Sequence, residues 1–238
     1  CCSGEVLRYD TWGDFWDTAA WDAFDPGANG VGTDPDGYIG AVFDGRYVYF
    51  VPFTNGYASH HGEVLRYDTW GDFYDASSWQ TFDPGTARFD ALDYDPDGYV
   101  EAVFDGWRYI YFVPNRNQAV ANAFFGEVLR LDTWADFSDP ASWDLYDPGD
   151  DGGVGTDPDG YAGAVFDGRY VYFVPYHNGS DYHGEVLRHD TWGDFYDRSS
   201  WTTFDPGEHA VGTDPDGYWG AVIVNGYIYF SPYYNGSG

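Results

Sequence analysis

Lysine and methionine are absent from this chain of 238 residues, and cysteine occurs only as the adjacent pair Cys1 and Cys2. Neighbouring cysteines at one end cannot tie distant parts of a fold together, so stability has to come from packing. All ten basic residues are arginine, set against forty acidic ones, for a formal net charge of -30. The basic footprint that phosphate backbones need is missing, which argues against nucleic acid as a partner. No apolar run is long enough to cross a membrane as a helix, and no stretch has the form of a signal peptide. Aromatic residues, by contrast, make up 22% of the chain, so a substantial packed interior is expected. Only six of the acids are glutamate and the rest are aspartate. Such acidity suits cations, a salty setting, or solubility through self-repulsion, and an extracellular or cell-surface location is the expectation.

The pattern of the chain is carried by residues 34–52, DPDGYIGAVFDGRYVYFVP. Tyr38 to Phe43 is a short apolar run, and residues 46–51 alternate with period two, which predicts a hairpin around Asp44-Gly45. A two-residue turn of type I′, with positive φ at both positions, would match the strand twist. The hairpin returns at 95–114, 157–175 and 214–232, with Asn225-Gly226 replacing Asp-Gly in the last copy. GEVLR begins at Gly4, Gly62, Gly126 and Gly184, spacings of 58, 64 and 58, and joining tail to head would give 58 again. Repetition of this kind governs the whole reading. Each repeat predicts four strands: A (GYIGAVF), B (RYVYFVP), C (EVLRYDT) and D, a short tryptophan strand that usually ends in FDPG. The expectation is one all-β domain, a four-bladed β-propeller with four antiparallel strands per blade. Its blades would span 26–83, 84–147, 148–205, and 206–238 joined by 1–25, the last blade being closed by the N-terminal strands. Leu7 and Ile228 would then share a sheet.

FDGRYVYFVP, GEVLRYDT and SSW-x-x-FD resemble the kelch-type blade, with its Gly turn, Tyr-rich second strand and tryptophan fourth strand. The count of four repeats, with GAVFDG on the inner strand, is similar to the hemopexin-type propeller. Both resemblances imply architecture, and neither implies one activity.

Within the repeats, Trp21, Trp79, Trp143 and Trp201 of strand D are expected to fill the wedge between sheets. A second set, Trp12, Trp70, Trp134 and Trp192, lies in the loops between strands C and D. Two readings stand for it: plugging of the sheet edge, or sugar recognition by an apolar ring beside carboxylates. The same loops carry Asp10, Asp14 and Asp17, repeated as Asp68, Asp72 and Asp75, as Asp132, Asp136 and Asp139, and as Asp190, Asp194 and Asp197. These either cap turns through their own side chains or supply oxygen ligands to Ca2+. Glu101 replaces the glycine of the other copies (Gly40, Gly163, Gly220) near the axis, where it could bind a cation or reflect drift. The loops between B and C hold Asn55, Tyr57, Asn178 and Tyr182, and should share one end of the domain with the loops between D and A. Asn178 and Asn235 each open an N-glycosylation sequon, which an Asn-Gly turn also explains.

Each GEVLR sets Glu and Arg on opposite faces of a strand, so each Arg should find an acid on another strand. The polar groups recur fourfold, and no Ser-His-Asp set, metal-binding His pair or phosphate loop stands out, so no enzyme is expected. Two functions follow. One is non-enzymatic, multivalent lectin-like or cation-supported binding, with no required cofactor beyond possible Ca2+. The other is a structural subunit that assembles with copies of itself into a filament or surface layer.

Overall fold

The computed structural model describes residues 2–56, 59–89, 96–117 and 123–236. Strands β1 (Val6–Tyr9) and β2 (Trp21–Phe24) form an N-terminal antiparallel pair. Blade one follows as β3 (Tyr38–Phe43) and β4 (Tyr47–Pro52), a short ladder β5 (Thr54–Gly56) and β6 (Ser59–His60), then β7 (Val64–Asp68) and β8 (Trp79–Phe82). Blade two has β9 (Tyr99–Phe104), β10 (Tyr109–Pro114), the short pair β11 (Arg116–Asn117) and β12 (Ala123–Phe124), β13 (Val128–Asp132) and β14 (Trp143–Tyr146). Blade three is β15 (Tyr161–Phe166), β16 (Tyr170–Pro175), β17 (Val186–Asp190) and β18 (Trp201–Phe204), and β19 (Tyr218–Val224) pairs with β20 (Tyr227–Pro232) in a separate two-stranded sheet. Every blade runs in the order A-B-C-D, with successive strands antiparallel. The fold is all-β and propeller-like.

Period-two alternation explains how the blades join. The inner strands β3, β9, β15 and β19 lie next to one another in that order. Glycine permits the close approach: a Cβ on Gly40 would lie 3.0 Å from the Val100 carbonyl oxygen, and one on Gly163 3.2 Å from Gly220 Cα. Further out, the strand-D tryptophans fill the wedges. Trp79 stacks on Phe24 of the preceding sheet (5.6 Å), Trp143 on Phe82 (5.8 Å), and Trp201 packs on Tyr146 (5.9 Å). Burying these large rings contributes to the blade-to-blade adhesion.

Two expectations are corrected. The last blade is not closed: β1–β2 and β19–β20 are separate sheets, so Leu7 and Ile228 do not share one. The physical reason lies in the packing, because β1–β2 sits on blade one through Phe24 and Val6, while β19 sits on β15. The hairpin turns also differ. Only Asn225 (φ 51°) and Gly226 (φ 80°) both have positive φ; at Asp44-Gly45 only the glycine does (φ 107°). There Asp44 Oδ1 accepts the N–H groups of Arg46 (2.8 Å) and Tyr47 (2.7 Å), so a side-chain acceptor shapes a three-residue turn. The expectation that each strand-C arginine finds an acid on another strand holds for Arg8 and Arg130, which pair with Asp22 and Asp144. At Arg66 and Arg188 the residue opposite on strand D is Gln80 or Thr202 instead of an aspartate, and Arg66 donates to Gln80.

Candidate functional site

The C–D loops are built from local hydrogen bonds. In blade one, Asp68 Oδ1 accepts the Trp70 N–H (3.0 Å), Asp72 Oδ1 the Tyr74 N–H (2.9 Å), and Asp75 Oδ1 the Ser77 N–H (2.9 Å). The same three bonds recur from Asp10, Asp14 and Asp17, from Asp132, Asp136 and Asp139, and from Asp190, Asp194 and Asp197. One oxygen of each aspartate thus accepts a backbone N–H two residues ahead, the geometry of turn capping. Among the described residues no three His, Cys, Asp or Glu side chains converge in a way that could hold a metal ion.

These loops hold their tryptophans outward. Trp12 is 98% exposed, Trp70 75%, Trp134 60% and Trp192 74%, which removes the edge-plugging reading. An arginine from the A–B turn braces three of them. The Arg46 guanidinium lies 4.5 Å from the Trp70 ring and 4.7 Å from Tyr47, and makes a forked pair with Asp68 (Nε–Oδ1 3.2 Å, Nη2–Oδ2 2.6 Å). Arg108 does the same with Trp134 and Asp132, and Arg169 with Trp192 and Asp190. The guanidinium beside Asp68 and Asp190 holds those carboxyls below the usual range. A planar cation clamped by a carboxylate holds the ring's tilt. Blade two adds a second ring: Trp107, inserted after its turn, meets Trp134 edge to face at 5.0 Å and is also exposed. The arginine braces and this pair were not visible as a site in the sequence; the extra residue after Asp105-Gly106 was the only signal.

The remaining candidates lie elsewhere. Asn55 and Tyr182 belong to the B–C loops, which meet the D–A loops, as in the bonds from Phe53 N–H to Gly37 O and from His177 N–H to Gly160 O. Strand direction puts them at the opposite end from the C–D loops, so the structure does not bring them to the tryptophans. Tyr57 lies outside the described residues. Asn178 Oδ1 accepts the N–H groups of Ser180 and Asp181, closing a turn, and Asn235 donates to Asp214. Tyr182 joins an aromatic group with Tyr176, His177 and Tyr234. Glu101 is half-buried beside Gly163, with its carboxyl raised by burial.

Half-buried acids, with the buried Asp147, gather where each GEVLR glycine meets the neighbouring turns. A Cβ on Gly126 would touch both Asp159 (2.5 Å) and Asp147 (3.3 Å). Burial, then the charge of Asp147, pushes the Asp159 carboxyl up to about 8, and burial pushes Glu127 up to about 7. The corner recurs at Gly4, Gly62 and Gly184, which marks it as a structural joint.

Neither a family model nor a curated protein matches this chain. Among solved structures, one titled "Structure of YjhT", a β-propeller, aligns with a TM-score of 0.51 at 15% identity, covering 96% of this chain and 68% of that one. At that identity the likeness concerns the fold alone.

Proposed function

We propose that the chain is a non-enzymatic binding scaffold that takes glycans at several equivalent loops. The observation that carries this reading is the set of four C–D tryptophans, each exposed on a rigid turn with carboxylates beside it. These indoles leave much of their surface open to solvent, and ring faces next to hydroxyl acceptors suit sugar C–H stacking. Repetition lets weak sites add through effective concentration. Catalysis would need unlike groups converging on one place, and here the loops offer like groups spread apart. Because the loop aspartates already cap turns or clamp arginine, binding is expected to survive removal of divalent cations.

A glycan array, run with and without chelator, tests the reading. Signal retained with chelator and lost in a Trp70→Ala, Trp134→Ala, Trp192→Ala chain supports it. A blank array, or signal indifferent to those substitutions, contradicts it.

A further inference from the structure

The two ends of the array are the halves of one blade. β19–β20 supplies strands A and B, and β1–β2 supplies strands C and D. Within the array every strand-C arginine has a ring on either side. Arg66 lies between Tyr47 of its own blade and Phe137 of the next, 4.2 Å from each, and Arg130 lies between Tyr109 (4.2 Å) and Phe195 (4.1 Å). At the ends each arginine has half of this sandwich among the described residues. Arg188 lies over Tyr170 (4.5 Å), and Arg8 over Phe73 (4.1 Å). The missing rings, by repeat position, are Phe15 for Arg188 and Tyr227 for Arg8, and both are exposed.

Other contacts are divided the same way. Glu63 accepts the N–H groups of Thr33 (2.9 Å) and Asp34 (3.1 Å), latching strand C to the loop before its own blade, and Glu185 does so with Thr156 and Asp157. Glu5 is exposed, and so is the loop it would latch, where Val211 is 56% exposed against 8% for Val31 and 5% for Val154. An open groove of about 500 Å³ runs along blade three past Tyr172, Val186, Arg188 and Phe204, where a C–D pair would lie. Another of about 460 Å³ runs past Leu7, Phe50, Tyr67 and Phe73, where an A–B pair would lie.

We propose that a second copy of this chain completes the divided blade. β20 of one copy pairs with β1 of the next in the register that strands B and C keep in the other blades, Tyr47↔Asp68 through Phe50↔Leu65. This gives Tyr227↔Asp10, Ile228↔Tyr9, Tyr229↔Arg8 and Phe230↔Leu7. The occupant is another copy because each half is already seated on its own blade by the contacts that join blades elsewhere, and this seating keeps the halves in separate sheets. The contact is head-to-tail, so it builds a closed ring of copies if the rotation closes and an open chain if it does not. With a net charge of -30 on every copy, salt should strengthen it. The inference goes beyond glycan binding and stands apart from it.

The test starts from a Cys1→Ser, Cys2→Ser chain. One partner carries Tyr9→Cys and the other Ile228→Cys, and the two are mixed and oxidised. A disulfide-linked species of twice the chain mass, absent when either variant is oxidised alone, supports the proposal, as does a ladder of multiples from the doubly substituted chain. A doubly substituted chain that cross-links only within itself would show that the ring closes on one copy and would overturn it. Absence of any cross-link in folded protein would overturn it too. Independently, Leu7→Asp, at an exposed position, should return any multimers seen by sedimentation velocity to monomer mass while leaving the circular dichroism unchanged; unchanged multimers would contradict the proposed pairing.

Discussion

β17–β18 and β1–β2 carry nearly the same residues, GEVLRHDTWGDFYDRSSW and GEVLRYDTWGDFWDTAAW, and form the same antiparallel pair with the same capped loop. Their burial is opposite. Leu187 is fully buried, like Leu65 and Leu129, while Leu7 is 64% exposed. Local sequence decides strand, turn and cap, because those depend on φ/ψ preferences and on side chains reaching two residues along. Burial depends on whether another sheet lies across the face, and β1–β2 lacks the preceding blade that β17–β18 has. The same residues therefore stabilise the chain in one place and leave an open surface in the other.

The comparison can be broken by substitution. Trp201→Ala should cost about 3–5 kcal/mol in urea unfolding, since it empties the wedge behind Tyr146, whereas Trp21→Ala should cost far less. Equal losses would show that the ends are packed like the middle. Leu187→Ala should cost about 2–5 kcal/mol, and Leu7→Ala in monomeric protein under about 0.5 kcal/mol. The latch gives a smaller contrast: Glu185→Gln should cost on the order of 1.5 kcal/mol and Glu5→Gln nothing measurable. Smallest of all, Trp70→Ala should move stability by under about 0.5 kcal/mol while weakening glycan binding, which separates the exposed loop ring from the wedge ring.

Acid titration sharpens the same contrast inside strand C. His189 stands where β1 has Tyr9 and β7 has Tyr67, fully buried and stacked on Trp201 at 4.1 Å. Burial, and then the charge of Arg130, lowers its pKa to about 3. The unfolded chain therefore takes up this proton first, so stability is lost as pH falls from about 6.5 toward 3. Asp159 and Glu127, raised to about 8 and about 7, act in the other sense: the folded chain keeps their protons, and their contribution weakens as pH rises from about 4 toward 8. His189→Tyr should reduce the acid-side loss in thermal melts, to which His60 and His183 also contribute, and leave the alkaline side as it was. An unchanged acid limb would remove His189 from the account.

Much of the fold was legible because it is periodic. The spacing of GEVLR located strand C four times, the alternation in YVYFVP located strand B, and one recurring tryptophan per repeat marked the wedge. The aspartates were readable as caps because an acceptor two residues before its donor is a local event. Closure was not readable: equal spacing around a circle holds whether or not successive blades turn far enough to meet. Nor were the braces on Trp70, Trp134 and Trp192 readable. Arg46 and Asp68 come together only once β4 and β7 pair. Separation of the B–C loops from the C–D loops likewise follows from strand direction, which the candidate residues taken one by one do not carry.

Amide hydrogen exchange on dilute, monomeric protein tests the divided blade most directly. β20 is expected to exchange much faster than β16 at the amides facing away from its hairpin partner, with β1 showing the same on its free edge. Protection in β20 and β1 equal to that in β16 and β17 would mean that the two halves are joined within one chain, and the account of the open ends would fail.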